Sequence, residues 1–203
     1  MKQFWAIVCV LSLLVTLAPL VGVNAQQETL PPVAQRGLPN EGHRALQPLI
    51  GRWRVTKTSS FPAISSNGPV SSADLTATRE WLADGRFIRE TVTGTMAGQP
   101  YFRTGLLGYS TMDRRYEWVT VDALHANMMI YQGRPGSGAA LPTDVAGAFT
   151  DQGLMGESTV GRVVRQRTRI TIDGPDRNVL QLFVTPPGGR ERLVDEMLYV
   201  RMQ

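Results

Sequence analysis

The sequence predicts an all-β domain of up to about ten antiparallel strands behind one short helix, and three observations predict it. Strand-like segments recur from Arg52 to Met202. Compact turn signals separate most of them: Asp84-Gly85, Ala97-Gly98-Gln99-Pro100, Asp173-Gly174-Pro175 and Pro186-Pro187-Gly188-Gly189. After Gly51 no stretch carries a helical apolar period, and no fixed-period repeat occurs.

Residues 1–25 have the make-up of a signal peptide: Lys2, an apolar run from Phe4 to Val23, and Val23-Asn24-Ala25 as a small-residue cleavage site. Pro19 and Ser12 in the run argue against an uncleaved anchor, so no stable membrane insertion is expected after cleavage, and the expected compartment is periplasmic or secreted. Cys9 is the only cysteine and lies in that run, so the remaining chain has neither disulfides nor thiol chemistry. Cleavage leaves 203 − 25 = 178 residues, the size of one domain. Without Lys2 the net charge falls from +4 to +3, too weak a basic excess for a nucleic-acid binder. Lys57 is then the one lysine left.

Residues 26–40, with Pro31, Pro32 and Pro39, are expected to be an extended leader, and residues 41–203 the folded domain. Asn40 is a helix N-cap with Glu41 in the first turn; Leu46, Leu49 and Ile50 form one apolar face, and Gly51 is the expected stop. A helix this short must dock on the strands. Arg52–Lys57 is the first strand, and Ser59–Ser72 a Ser/Pro/Gly-rich loop expected to be a lid or disordered. Further strands are expected at Ala73–Leu82, Arg86–Thr93, Tyr101–Tyr109, Arg115–Val121, Ala126–Gln132, Gly147–Thr150, Arg162–Ile172, Val179–Thr185 and Arg190–Met202.

One hairpin can be set in register. A two-residue Asp84-Gly85 turn pairs Leu82 with Phe87, Trp81 with Ile88, Glu80 with Arg89 and Arg79 with Glu90. Leu75, Ala77, Trp81, Ile88 and Val92 make the more apolar face, so that face points inward and takes Arg79 and Glu90 into the core as an ion pair.

Gly51-Arg52-Trp53 after a short helix, with Arg201 on the last strand, resembles the Gly-x-Trp and terminal-Arg arrangement of lipocalin-like (calycin-type) barrels. Blocks along the chain resemble an uncharacterised bacterial family, the domain-of-unknown-function family numbered fifteen seventy-nine. These are Trp81 to Phe87, Gly98-Gln99-Pro100-Tyr101, Leu107-Gly108-Tyr109, Asp122, Tyr131-Gln132-Gly133, Pro187 to Glu191 and Tyr199-Val200-Arg201. The match runs over most of Glu41 to Met202; Ser110 and the position of Trp118 depart from the pattern. The resemblance implies a closed up-and-down barrel with a helical plug and an internal cavity, and it implies no activity.

Trp53 and Arg201 are expected to stack by cation–π contact, a structural role shared with Gly51. Asp122, His125 and Tyr131 could form an acid/base cluster, although Asp122 to Asn127 also has the make-up of a self-bonded turn. His43 and His125 are too far apart in sequence for a metal motif, and no cofactor signature is present. Arg165, Arg167 and Arg169 alternate on one strand face, opposite Val164, Thr168, Ile170 and Ile172, and are expected to be solvated. The glycines of Gly133 to Gly138 lack the Lys-Ser/Thr and the helix of a phosphate loop.

Three functional classes follow. The first is an exported barrel binding a small, partly apolar molecule, with Trp81, Trp118, Met129 and Tyr131 as lining and Arg79, Glu90 and His125 as polar handles. The second is an acid/base enzyme using His125 with Asp122 or Tyr131 in the same cavity; no nucleophilic triad can be assembled from the sequence. The third is an envelope interaction protein with a solid core. A cavity of several hundred Å³ would favour the first two.

Overall fold

A computed structural model describes residues 30–64 and 67–203, and the predicted signal peptide lies outside the described residues. Ten strands follow one another as β1 (Gly51–Ser59), β2 (Val70–Leu82), β3 (Phe87–Met96), β4 (Gln99–Ser110), β5 (Arg115–Asp122), β6 (Met129–Gln132), β7 (Thr143–Thr150), β8 (Val163–Ile172), β9 (Arg177–Thr185) and β10 (Arg192–Arg201). Each pairs antiparallel with its sequence neighbours, and β1 closes on β10, giving an up-and-down barrel within the unit Pro32–Gln203. Closure leaves no free edge strand among the described residues, although β6 and β7 are joined only at Gln132↔Ala146.

Alternation along each strand sorts side chains between inside and outside. On β1, Trp53, Val55, Lys57 and Ser59 are buried while Arg52, Arg54 and Thr56 are exposed. On β8, Val164, Gln166, Thr168 and Ile170 point inward, with Arg165 and Arg169 exposed as expected. Arg167 and Arg169 are held by Asp144, and Arg167 also by Glu191.

The β2–β3 register is Leu82↔Phe87, Trp81↔Ile88, Glu80↔Arg89 and Arg79↔Glu90, as expected. The turn that sets it has four residues, not two. Ala83, Asp84 and Gly85 all take positive φ (49, 55 and 83°), and the Arg86 amide donates back to the Leu82 and Ala83 carbonyls. Adding one residue at each end of an Asp-Gly turn preserves the pairing sum, so the register is unchanged.

The N-terminal end of the domain differs from expectation in two ways. The leader is not extended throughout: Pro32–Arg36 forms the one-turn helix α1, because a proline fits the first helical turn, where its missing N–H is not needed. Gly51 does not stop the second helix. That helix, α2 (Glu41–Arg44), is capped by Asn40, whose side chain accepts from the Gly42 amide while the Asn40 amide donates to His43 Nδ1. A 3-10 turn at Gln47–Leu49 then carries the chain to β1.

Gly51 opens β1 at φ +130°, where a Cβ would come within 2.6 Å of Arg201 Nη1. Gly51→Ala is therefore expected to cost about 1–3 kcal/mol from the backbone conformation and the displaced guanidinium. A urea midpoint measurement checks this, and an unchanged midpoint would contradict it.

The plug formed by α2 and the 3-10 turn fills one end of the barrel with Leu46 and Leu49, both almost fully buried. Trp53 lies beneath it with no exposed surface; its Nε1–H donates to the Leu49 carbonyl (2.9 Å), and the Arg201 guanidinium covers its ring at 4.2 Å. A second apolar cluster of Phe61, Phe149, Leu154, Met155, Val164, Val184 and Val194 closes the opposite end. Phe61 comes from the β1–β2 connection, whose Ser60 amide is tied to the Val194 carbonyl at 2.7 Å; the expected lid thus begins as packed chain.

Candidate functional site

Between the two apolar ends the barrel interior is charged. Arg79 and Glu90, facing each other across β2 and β3, meet at 2.5 Å with almost no exposed surface. Arg103 on β4 pairs with the other Glu90 oxygen and donates to the Tyr199 hydroxyl at 2.9 Å. Arg79 also donates to Asn178 Oδ1 (2.7 Å) and stacks 3.9 Å from the centre of the Tyr199 ring. Burial pushes the Glu90 carboxyl up, but the two guanidinium groups outweigh it and hold it below the ordinary carboxylate range. Burial pushes the Tyr199 phenol upward, so it stays a neutral donor.

Toward the loop end, Lys57 pairs with Asp195 of β10 and lies 5.5 Å from the centre of the Tyr101 ring. Asp122 ends β5, and its Oδ1 accepts from the Leu124 and His125 amides (2.8 and 3.1 Å) and contacts His125 Nδ1 at 3.1 Å. The turn reading and the acid/base reading of this segment thus describe one arrangement, in which the self-bonded turn fixes the imidazole. Burial raises the Asp122 carboxyl, but the His125 contact and the two amides bring its net shift downward.

These groups surround a chamber of about 50 Å³. Lys57, Arg103, Asp122, His125, Gln166 and Asp195 supply its polar wall; Phe61, Ile64, Leu124, Phe149 and Leu154 supply its apolar side. Three polar atoms of its lining residues, Arg103 Nε, Gln166 Nε2 and Asp195 Oδ1, are buried without a hydrogen-bond partner. A buried polar group left unpaired costs about 1–3 kcal/mol, so three on the residues of one chamber wall ask for an explanation.

Of the residues singled out from sequence, Asp122, His125, Met129 and Tyr131 line this chamber. Tyr131 stacks on Trp118 at 5.2 Å and donates to Gln166 Oε1 at 3.3 Å; burial raises its phenol to about 12. Arg79, Glu90 and Trp118 line a separate void of about 20 Å³ nearer the plug. Trp81 joins neither group: it is half-buried at the plug end, donating to Gln47 Oε1 at 2.8 Å. The interior voids are far smaller than the several hundred Å³ expected of an internal cavity, so volume taken alone favours the solid-core class. A groove of about 410 Å³ lies outside the wall, along Phe87, Leu106, Val119 and Ile130.

Lys57, Tyr101, Arg103, Gln166 and Asp195 also line the chamber and carry no motif in the sequence. Lys57 was within reach, since it shares the inward parity of Trp53 and Val55, and Gln166 shares that of Val164 and Thr168. Asp195 was not, because a register shift between Leu193 and Asp195 breaks the parity of β10.

Among the described residues no cluster of three or more His, Cys, Asp or Glu is placed to hold a metal ion, and no helix is long and apolar enough to cross a membrane.

A family model described as "Protein of unknown function (DUF1579)" matches residues 38–201. None of the curated proteins matches the chain. One similar solved structure is described as "Structure of EF1p2_mFAP2b bound to DFHBI", with 13% identity and a TM-score of 0.41, covering 79% of this chain and 98% of that one. Another, "Structure of a redesigned beta barrel, b11L5F_LGL", has 14% identity and a TM-score of 0.37, covering 79% of this chain and 96% of that one.

Proposed function

The chain belongs to the family of unknown function whose model spans residues 38–201, and from that premise we propose that it is an exported barrel that binds a small, partly apolar molecule at its loop end. The observation that carries this reading is that three residues lining one chamber, Arg103, Gln166 and Asp195, each hold a buried polar atom without a hydrogen-bond partner. A ligand whose polar head pairs with them removes their desolvation cost, while its apolar part lies against Phe61, Leu124 and Leu154. The chamber limits that head to a few non-hydrogen atoms. Export rests on the sequence of residues 1–25.

Native mass spectrometry of the protein isolated from its own envelope tests the reading. A retained small molecule, lost in a folded Gln166→Leu variant, is the expected result. A bare polypeptide mass at every collision energy would favour the alternative of an interaction protein with a solid core.

The 3.1 Å contact between His125 Nδ1 and Asp122, with His125 lining the same chamber, favours a second reading, an acid/base enzyme. Turnover of the retained molecule that stops in His125→Gln, with retention unchanged, would select it.

A further inference from the structure

The barrel holds one lysine where it otherwise uses arginine. Of 21 lysines and arginines only Lys2 and Lys57 are lysines. Apart from His125–Asp122, every other ion pair among the described residues takes its cation from arginine. The two side chains are not equivalent. A guanidinium keeps its proton at any ordinary pH, whereas a buried amine can release one and become a nucleophile.

Lys57 is placed for such use. Its inward parity on β1 brings its amine to the chamber wall, with only 4% of the side chain exposed. Asp195, which lines the same chamber, is its partner, and its second oxygen, Oδ1, is buried without a hydrogen-bond partner. Burial drives the Lys57 amine below its ordinary range, against the opposing pull of Asp195. Two further chamber-lining residues, Arg103 and Gln166, each carry a buried N–H without a partner, at Nε and Nε2, a donor suited to an oxygen acceptor. At about 10–15 Å³ for each water-sized group, a chamber of about 50 Å³ takes a head of about three to five non-hydrogen atoms.

We propose that Lys57 forms an imine with the carbonyl carbon of a small aldehyde or ketone seated in this chamber, an inference that rests on the binding reading above. Asp195 takes one proton from the Lys57 ammonium, and the free amine adds to the carbonyl carbon. A proton passes from nitrogen to the former carbonyl oxygen to give a carbinolamine. Asp195 returns its proton to that hydroxyl, which leaves as water, and the carboxylate remains as counter-ion to the protonated imine. Atoms and charge balance without an oxidant or reductant. Arg103 and Gln166 hold an oxygen substituent next to the carbonyl.

Reductive trapping tests this on the full-length protein, with glycolaldehyde as probe, cyanoborohydride as trap, and peptide mapping by mass spectrometry. The expected result is faster modification at Lys57 than at any other amine. It should also be faster in the folded protein than in urea, and slower in an Asp195→Asn variant that keeps the wild-type denaturation midpoint. Lys57 modified only in urea would overturn the inference, because an amine serving solely as a buried ion pair is shielded by folding. If Lys57 stays unmodified while native mass spectrometry still finds a retained molecule, the imine falls and the binding reading stands. If both are negative, both fall.

Discussion

Trp53→Ala is expected to lower the stability of the barrel by about 3–5 kcal/mol, the range for truncating a large buried aromatic. The indole has no exposed surface, its N–H is satisfied by the Leu49 carbonyl, and Arg201 covers its outer face while Arg79 lies 5.8 Å from its ring centre within. The substitution thus removes the contact that fastens the plug to the strands and leaves the Leu49 carbonyl unpaired. Arg201→Ala should cost less, since that side chain is 30% exposed, although it also donates to the Pro48, Ile50 and Pro175 carbonyls. Urea denaturation of the two variants measures both; an unchanged midpoint for Trp53→Ala would show that the plug does not organise the domain.

Glu90→Gln is expected to cost about 3–5 kcal/mol, because it strands two buried guanidinium groups at once. From the sequence, Arg79 and Glu90 look like an isolated pair that two apolar residues could replace. The structure adds Arg103 as a second partner of Glu90, so replacing Arg79 and Glu90 alone leaves Arg103 without a carboxylate. The matched comparison is the triple variant Arg79→Met, Glu90→Leu, Arg103→Met, which should be closer to wild type than Glu90→Gln alone. The pH dependence has a defined sign. The folded-state carboxyl of Glu90 lies below its ordinary value of 4.5, so its contribution is full above that value and is lost as pH falls through the folded-state value. Wild type and Glu90→Gln should therefore differ most near neutral pH and converge in acid; a constant difference across the acid range would contradict the assignment.

The strand count, the β2–β3 register and the inward Arg79–Glu90 pair were legible because strand alternation has a period of two, and a single hairpin then decides which parity is buried. The Trp53–Arg201 stack was legible through its resemblance to lipocalin-like barrels. What could not be read has physical causes. The extra turn residues Ala83 and Arg86 preserve the register and so leave no mark on the pairing pattern. The Leu193/Asp195 register shift hides which side chain of β10 faces in. Arg103 meets Glu90 across β3 and β4, and Tyr199 only because the barrel closes. Long-range closure brings Lys57, Gln166 and Asp195 to one chamber, and no local pattern carries that information.

Function depends on whether the chamber lined by Arg103, Gln166 and Asp195 takes a small molecule. A high-resolution crystal structure of the protein isolated from its own envelope tests this most directly. The predicted result is continuous density for one organic molecule, with polar atoms within hydrogen-bond distance of Arg103 Nε, Gln166 Nε2 and Asp195 Oδ1. Separate ordered waters satisfying those three atoms, with no organic density, would contradict it and leave the barrel a closed polar core.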